Sequence, residues 1–393
     1  MKLLWITTKP ILPPVDGGRL LQLRTLEGIV AAGAEITLVA PLLGAPPEDG
    51  LGDLVRECHW VPVARGLGRQ VAGLRAASGL PLAIARHRWR AVEKRVAELV
   101  AGRPFDGVQV EHIQAMPQAR PALEARLPLI LRAHNVESDI WRRTAAHRGG
   151  PVGWLSRADA GRLARWEGET VAAAPLTAAL SQIDADRLSQ LAGGRGEVVV
   201  VPPSFPGGMA AGEPLPGAPA VVVLGSGGWL PNRDSAQWFV HHVWPAVRQR
   251  CPAARLHLFG LWRARDLPPE KAALGIEAHP APADIARAFA AGSVLAVPLR
   301  LGSGVRIKIL EAWARGVAVV STPQGAEGLV RRDGEGLLLA RDGAEFAAAV
   351  ERLADPAVAA ELCAEGRRRL AEHHDPLALG RRFLELYASQ RPG

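Results

Sequence analysis

The chain is predicted to fold as two α/β domains, each a parallel sheet wound with crossover helices in the Rossmann-like manner. Three observations predict this. At 393 residues the chain exceeds the size one hydrophobic core usually organises. Short apolar runs alternate with segments of helical periodicity in the first half, and the alternation restarts after residue 219. Between the halves, Pro202, Pro203, Pro206, Pro214, Pro216 and Pro219 stand among glycines, a composition that sustains neither helix nor sheet. The division is therefore 1–202 for the first domain, 203–219 for the linker, 220–375 for the second domain and 376–393 for a last helix returning to the first.

Strands are expected at Leu3 to Thr7, Glu35 to Ala40, His59 to Val63, Gly107 to Glu111, Leu129 to Ala133, Leu176 to Leu180 and Val198 to Val201. Helices are expected at Arg19 to Ala32, Ala83 to Val100, Gln114 to Arg126 and Asp184 to Leu191. Ser138 to Ala174 is polar and interrupted by Gly149, Gly150 and Pro151, so it is expected as two helices, the first capped by Ser138. In the second half the strands are Ala220 to Leu224, Arg255 to Phe259, Val294 to Val297, Val317 to Ser321 and Leu337 to Ala340. Helices are placed at Asp234 to Arg250, Asp284 to Ala290, from near Val305, and through most of Ala344 to Ser389.

Composition is that of a globular protein, with 48% hydrophobic and 22% charged residues, and no apolar run approaches the roughly 20 residues that span a bilayer. MKLLWITTKP is too short a run for a signal peptide and is expected as the first strand. The expected location is the cytoplasm, with peripheral contact at the inner membrane face left open. Cys58, Cys251 and Cys363 lie far apart, without metal-ligand spacing or the density of a disulfide scaffold. Net charge is +8, but only 5 of the 47 basic residues are Lys, a skew that looks like coding bias and weakens any argument for a polyanionic partner. No basic and aromatic stripe of the kind that stacks bases is present, so no nucleic-acid partner is expected.

The segment Val297 to Gly328, VPLRLGSGVRIKILEAWARGVAVVSTPQGAEG, carries the most chemical information. Gly302 and Gly304 flank Ser303 where a strand gives way to a helix beginning near Val305. Glycine permits backbone that bends closely around a ligand, and the unpaired N–H groups of a helix amino end attract anions. Arg306 and Lys308 add positive charge to the first turn, an unfavourable place for cations in the absence of a bound anion. Glu311 lies three residues beyond Lys308 and four before Arg315, spacing that also suits a plain intrahelical ion pair.

Ligands of open α/β sheets bind beyond the carboxyl ends of strands, and two such domains are expected to face each other across a cleft. Three further motifs sit at strand ends. KPILPPVDGGRLLQLR places Gly17 and Gly18 before a helix, either as a phosphate loop or as a tight turn. RAHNVE groups His134, Asn135 and Glu137, where His134 is either a ligand-facing group or a structural hydrogen-bonding residue. LGSGGWLPN follows the first strand of the second domain with Gly225 and Asn232; it does not spell GxGxxG and lacks the acidic ribose partner, which argues against NAD.

With these motifs in place, most of the chain resembles the retaining GT-B glycosyltransferases of family 4, the glycosyl transferases group 1. The resemblance rests on PPVDGG, RAHNVES, GSGGWLPNRDSAQWF and PLRLGSGVRIKILEAWARGVAVVSTPQGAEGL, of which the last is highly specific. It implies a GT-B fold with an acceptor-side first domain and a donor-binding second domain. It further implies donor contacts from Gly225, Asn232, Gly302, Ser303, Gly304, Val305, Glu311, Gly325 and Glu327, with Glu311 on the ribose hydroxyls. Arg306 and Lys308 would neutralise the diphosphate and, with His134, form the catalytic set, while Gly17, Gly18, Asn135 and Glu137 would line the acceptor side or the leaving phosphate. The family's usual pair of glutamates eight positions apart is incomplete, since the first falls on Ser303, and the usual Arg and Lys of the second domain's first loop are replaced by Trp-Leu-Pro-Asn.

The implied reaction moves a sugar from a nucleoside diphosphate sugar to an acceptor hydroxyl, with retention and without a metal or other cofactor. The departing diphosphate itself accepts the proton, consistent with the absence of an evident pair of catalytic carboxylates. Acceptors open to this reading are a glycan, a lipid-linked sugar or a small natural product. Two alternatives remain: a nucleotide-sugar epimerase of the same architecture, which needs an acid and a base near the sugar, and a noncatalytic nucleotide-sugar-binding subunit, which the Ser303 departure keeps open.

Overall fold

The computed structural model describes residues 1–46, 51–63, 79–146, 150–225, 230–260, 262, 267, 269–282 and 284–391. They form two compact units, Met1–Ser204 with Pro376–Gly393, and Phe205–Asp375. Residues 47–50 and 64–78 and Gly149 lie outside the described residues, as do residues 226–229 of the glycine loop after Leu224.

The first unit is built on seven parallel strands: β1 (Lys2–Ile6), β2 (Glu35–Leu42), β3 (Glu57–Pro62), β4 (Gly107–Glu111), β5 (Leu129–Ala133), β6 (Leu176–Ala179) and β7 (Val198–Val200), ordered 3-2-1-4-5-6-7. Every residue of β4, β5 and β6 is buried, Gln109, Glu111 and Arg132 included, as expected of central parallel strands covered on both faces. Helix α1 (Gly17–Ala31) starts at Asp16, whose side chain accepts the Arg19 N–H.

The helix expected over Ala83 to Val100 is two, α2 (Leu82–Ala85) and α3 (Arg90–Gly102). Gln118 Nε2 takes the His87 carbonyl that a continuous helix would use, and Trp89 is extended. Pro117, which lacks an N–H, turns the start of the expected Gln114 to Arg126 helix into a 3-10 segment, Ile113–Ala119, before the short α4 (Arg120–Glu124).

The polar stretch is two helices, as expected, α5 (Glu137–Ala146) and α6 (Gly150–Ala173). Ser138 is not the cap. The amino end of α5 is held from α6, where the Glu167 carboxylate accepts the N–H of Glu137 at 2.9 Å, the N–H of Ser138 at 3.2 Å and the Ser138 hydroxyl at 2.6 Å. Long-range capping of this kind leaves no local sequence signature. Helix α7 (Gln182–Leu191) is capped by Ser181.

In the second unit six parallel strands are ordered 10-9-8-11-12-13: β8 (Ala220–Leu224), β9 (Arg255–Phe259), β10 (Ile276–His279), β11 (Val294–Val297), β12 (Ala318–Ser321) and β13 (Leu338–Leu339). Strand β10 was not expected, because IEAH is an edge strand with only Ile276 buried. The expected Asp234 to Arg250 helix is α8 (Leu230–Trp238) and α9 (Trp244–Arg250) around a π segment, Phe239–Val243; Pro245 sits in the first turn of α9 and removes one donor from the ladder.

Helix α10 (Ile307–Arg315) stops at Gly316, whose φ of 67° is left-handed. Helices α11 (Gly343–Leu353) and α12 (Pro356–His373) are capped by Asp342 and Asp355. Residues 205–219 are part of this unit: Met209 N donates to Ala314 O and Gly212 N to Phe289 O.

The last helix, α13 (Pro376–Ser389), belongs to the first unit and lies on α1. The two backbones approach so closely at Gly28 and Gly380 that a Cβ on Gly380 would fall 1.9 Å from Gly28 O. Among the described residues, no helix is long and apolar enough to cross a membrane.

Candidate functional site

In the second unit, the residues singled out around Ser303 gather at the carboxyl ends of β8, β11 and β12. After β11 the chain turns through Gly302 and Gly304 at φ of 112° and 82°, conformations that disfavour any side chain with a Cβ. Arg306 is the residue at the N-cap of α10 and supplies no side-chain cap; its guanidinium turns back onto Ser303 O. Ser303, Val305, Arg306 and Glu311 are all buried. Lys308 reaches from the first turn of α10 to Leu224 O, which ties the end of β8 to this helix end. Burial, then the Arg306 charge, push the Lys308 ammonium down to about 8.

Glu311 pairs with Arg315, one turn on, at 3.1 Å, with both side chains nearly inaccessible. The intrahelical reading of that spacing is therefore present in the structure. Arg315 also donates to Ala210 O and lies over the Phe289 ring, so the pair anchors residues 205–219 to the helix.

Gln324 was not singled out by sequence, yet its amide bridges the two glycine loops by donating to Gly302 O at 3.0 Å and to a Glu327 carboxylate oxygen. Gly325 has a steric reason: a Cβ there would lie 2.4 Å from Ser321 Oγ and 2.8 Å from Val297 O. Likewise Gly225 faces Asn232, with a Cβ only 2.8 Å from its Cγ.

In the first unit, the sequence-predicted residues gather at the ends of β1, β4 and β5. Gly17 and Gly18 form the first turn of α1 behind Asp16, to which Lys9 Nζ donates at 2.8 Å. A Cβ on Gly18 would sit 3.6 Å from the His112 ring. His134 Nε2 meets Glu111 Oε2 at 2.5 Å, and the His134 ring lies 3.6 Å from that of His112. Gln22, itself bonded by Thr7, reaches His112 Nε2 at 3.2 Å.

Burial is the first cause of every shift in this cluster, lowering both histidines well below their usual value and raising Glu111. At 2.5 Å the contact between His134 Nε2 and Glu111 Oε2 is a hydrogen bond with a proton between the two atoms. Asn135 and Glu137 lie alongside, and burial raises the Glu137 carboxyl as well. His112 escaped the sequence reading although it follows β4 much as His134 follows β5; its φ of 70°, rare for a residue with a side chain, marks a constrained position. Arg132, in the same motif as His134, is structural: it donates to Val201 O and Pro202 O and lies over the Phe383 ring.

Residues 218–355 match the family model described as Glycosyl transferases group 1. No curated protein sequence matches the chain. Among solved structures, the Anabaena protein Alr3699/HepE in complex with UDP and glucose superposes with a TM-score of 0.68 at 17% identity, over 99% of this chain and 100% of that one. Sucrose-phosphate synthase from Thermosynechococcus elongatus gives 0.70 at 16% identity over 99% and 98%. An E. coli trehalose-6-phosphate protein bound with UDP-2-fluoro glucose gives 0.68 at 13% identity over 98% and 99%. Identities this low establish the fold and nothing finer, and that fold is the GT-B fold expected from the sequence. Residues 218–355 are thus a glycosyl transferases group 1 domain, carried on a chain with the two-sheet GT-B architecture.

Proposed function

We propose that the protein transfers a sugar from a nucleoside diphosphate sugar to an acceptor hydroxyl, retaining the anomeric configuration and using no metal ion in the transfer step. The observation that carries this reading is the coincidence of the family match over 218–355 with a glycine-turned helix end that holds Arg306 and Lys308. A diphosphate leaving group gains charge as its bond to the sugar lengthens, and preorganised cations and N–H groups favour that charge more than the ground state. In this reading Lys308 and Arg306 act on the diphosphate, Glu311 on the ribose, and Gly225, Asn232, Gly325 and Glu327 on the rest of the donor. His134, with Gly17, Gly18, Asn135 and Glu137, is assigned to the acceptor side or the leaving phosphate. Similar folds solved with UDP and glucose or UDP-2-fluoro glucose make UDP-glucose the first donor to assay.

The test is incubation with UDP-, GDP- and ADP-sugars and a panel of hydroxyl acceptors, reading nucleoside diphosphate release and the anomeric configuration of the product. Release that Lys308→Ala slows by about 10²–10³-fold supports the reading. An isomerised sugar replaces it with an epimerase, and tight nucleotide-sugar binding without turnover replaces it with a noncatalytic subunit.

A further inference from the structure

The edge of the second sheet carries a cluster that the transfer reaction does not use. Strands β9 and β10 pair in parallel, with His257 opposite Glu277 and Phe259 opposite His279. Because side chains alternate along a strand, His257, Glu277 and His279 all project from one face of the sheet. That face lies opposite the one on which Leu256, Leu258 and Ile276 join the hydrophobic core. His257 is buried, whereas Glu277 and His279 are partly open to solvent. One ligand atom from each lies within 4.8 Å of the others.

His257 Nε2 lies 2.8 Å from Pro216 O. A carbonyl only accepts, so Nε2 carries the ring proton and Nδ1 presents its lone pair. That lone pair faces His279 Nε2 at 3.0 Å and Glu277 Oε2 at 3.7 Å. Neighbouring ligands on one ion, bound at about 2.0–2.2 Å, stand roughly 3.0–3.4 Å apart, so small rotations of the side chains bring all three to bonding distance. Arg255 occupies the other Glu277 oxygen, Oε1, at 2.8 Å, and the Phe259 ring stacks on His279 with centroids 4.4 Å apart. The arrangement has the outer partners a metal site needs: a backbone carbonyl that fixes the tautomer of one imidazole, an arginine that orients the carboxylate and an aromatic wall.

We propose that His257 Nδ1, Glu277 Oε2 and His279 Nε2 bind a divalent transition ion of the zinc class, with water completing the shell on the open side. Two imidazoles and a carboxylate select zinc, nickel or copper over magnesium or calcium, which prefer all-oxygen shells. Without the ion, His279 donates its Nε2 proton to His257. Binding moves that proton to His279 Nδ1, so the imidazole stays neutral and no co-reactant is required. The ion fastens the edge strand β10 to β9 and to the segment at Pro216; its role is structural and separate from sugar transfer.

The test uses the full chain, stripped with chelator, titrated with Zn²⁺ alone by calorimetry and followed by thermal unfolding, with Mg²⁺ as comparison. The expected result is a single site of micromolar or tighter Kd, and a midpoint raised by roughly 5 °C or more at a free ion concentration about 100 times Kd. His279→Ala and Glu277→Gln each weaken binding at least about tenfold. Both positions are partly exposed, so these variants keep the test readable if His257→Ala fails to fold. Zn²⁺ binding with unchanged affinity in His279→Ala, an equal response to Mg²⁺, or no binding below millimolar concentration overturns the proposal.

Discussion

The Tyr387 hydroxyl of α13 donates to Gln109 Oε1 of β4 at 2.5 Å, and Gln109 Nε2 in turn donates to Glu111 Oε1 at 2.9 Å. A chain of hydrogen bonds thus runs from the last helix to the carboxylate that holds His134. The Tyr387 ring fills the space beside Gly107, where a Cβ would fall 2.4 Å from Cδ1. Tyr387→Phe leaves a buried amide oxygen without its donor and is expected to lower unfolding free energy by about 1–3 kcal/mol in urea titration. Gly107→Ala is expected to cost about 1–3 kcal/mol by overpacking. If both unfold at the wild-type midpoint, α13 is not fixed through this contact.

Glu167 gives a second, pH-dependent expectation. Burial raises its carboxyl from 4.5 to about 7, against the lowering effect of the Ser138 hydrogen bond. Between those values the folded chain binds more protons than the unfolded one, so this group's contribution is full below pH 4.5 and is lost as pH rises through 7. Glu167→Ala removes that part of the decline. The same variant takes away the acceptor for the first N–H groups of α5, at a cost of about 1–2 kcal/mol. A stability profile from pH 4 to 8 that is parallel to wild type would refute the assignment.

Lys308 titrates where nucleotide binding reports it. Its ammonium is lowered from 10.5 to about 8 by burial and Arg306, and a bound diphosphate favours the charged form. Nucleoside diphosphate affinity is therefore expected to fall between about pH 7.5 and 9 in calorimetric titration, as the free protein loses that charge. Lys308→Met abolishes the fall. For folding the sign is opposite: from pH 8 to 10.5 the unfolded chain holds the extra proton, and stability rises as the penalty of burying the charge disappears. An affinity that stays flat across this interval in the wild type removes Lys308 from the diphosphate contact.

What the sequence disclosed follows the range of the forces involved. Strands β4, β5, β8, β9 and β11 were read to the residue, because each is a short segment of closely spaced apolar residues set between turn-forming ones. Gly302 and Gly304 were legible because left-handed backbone demands glycine. Features that depend on distant partners were not. Strand β10 is a strand only because β9 offers its edge, the cap of α5 comes from Glu167, and Gln118 breaks a helix 31 positions away at His87. Gln324 and His112 were missed for a related reason, since their place depends on which strand ends the topology brings together.

Glu311 is where the two readings of the candidate site separate most sharply. Its Oε1 accepts from Arg315 Nε at 3.2 Å and from the terminal nitrogen at 3.1 Å, and the side chains of Arg315 and Glu311 are only 8% and 5% exposed. Removing one partner of so buried a pair leaves the other charge uncompensated, at a cost of about 3–5 kcal/mol. A loss of nucleotide binding in Glu311→Ala therefore does not by itself identify a ribose contact, because a loosened α10 also displaces Arg306 and Lys308. Arg315→Ala breaks the same ion pair and destabilises the helix in the same way, but leaves the Glu311 carboxylate in place. The discriminating ligands are a nucleoside diphosphate and its 2′-deoxy analogue. If Glu311 accepts from the ribose, wild type and Arg315→Ala both prefer the hydroxylated ligand, and Glu311→Ala loses that preference while weakening both. Equal discrimination in all three proteins would confine Glu311 to holding Arg315, and the ribose contact would have to come from elsewhere.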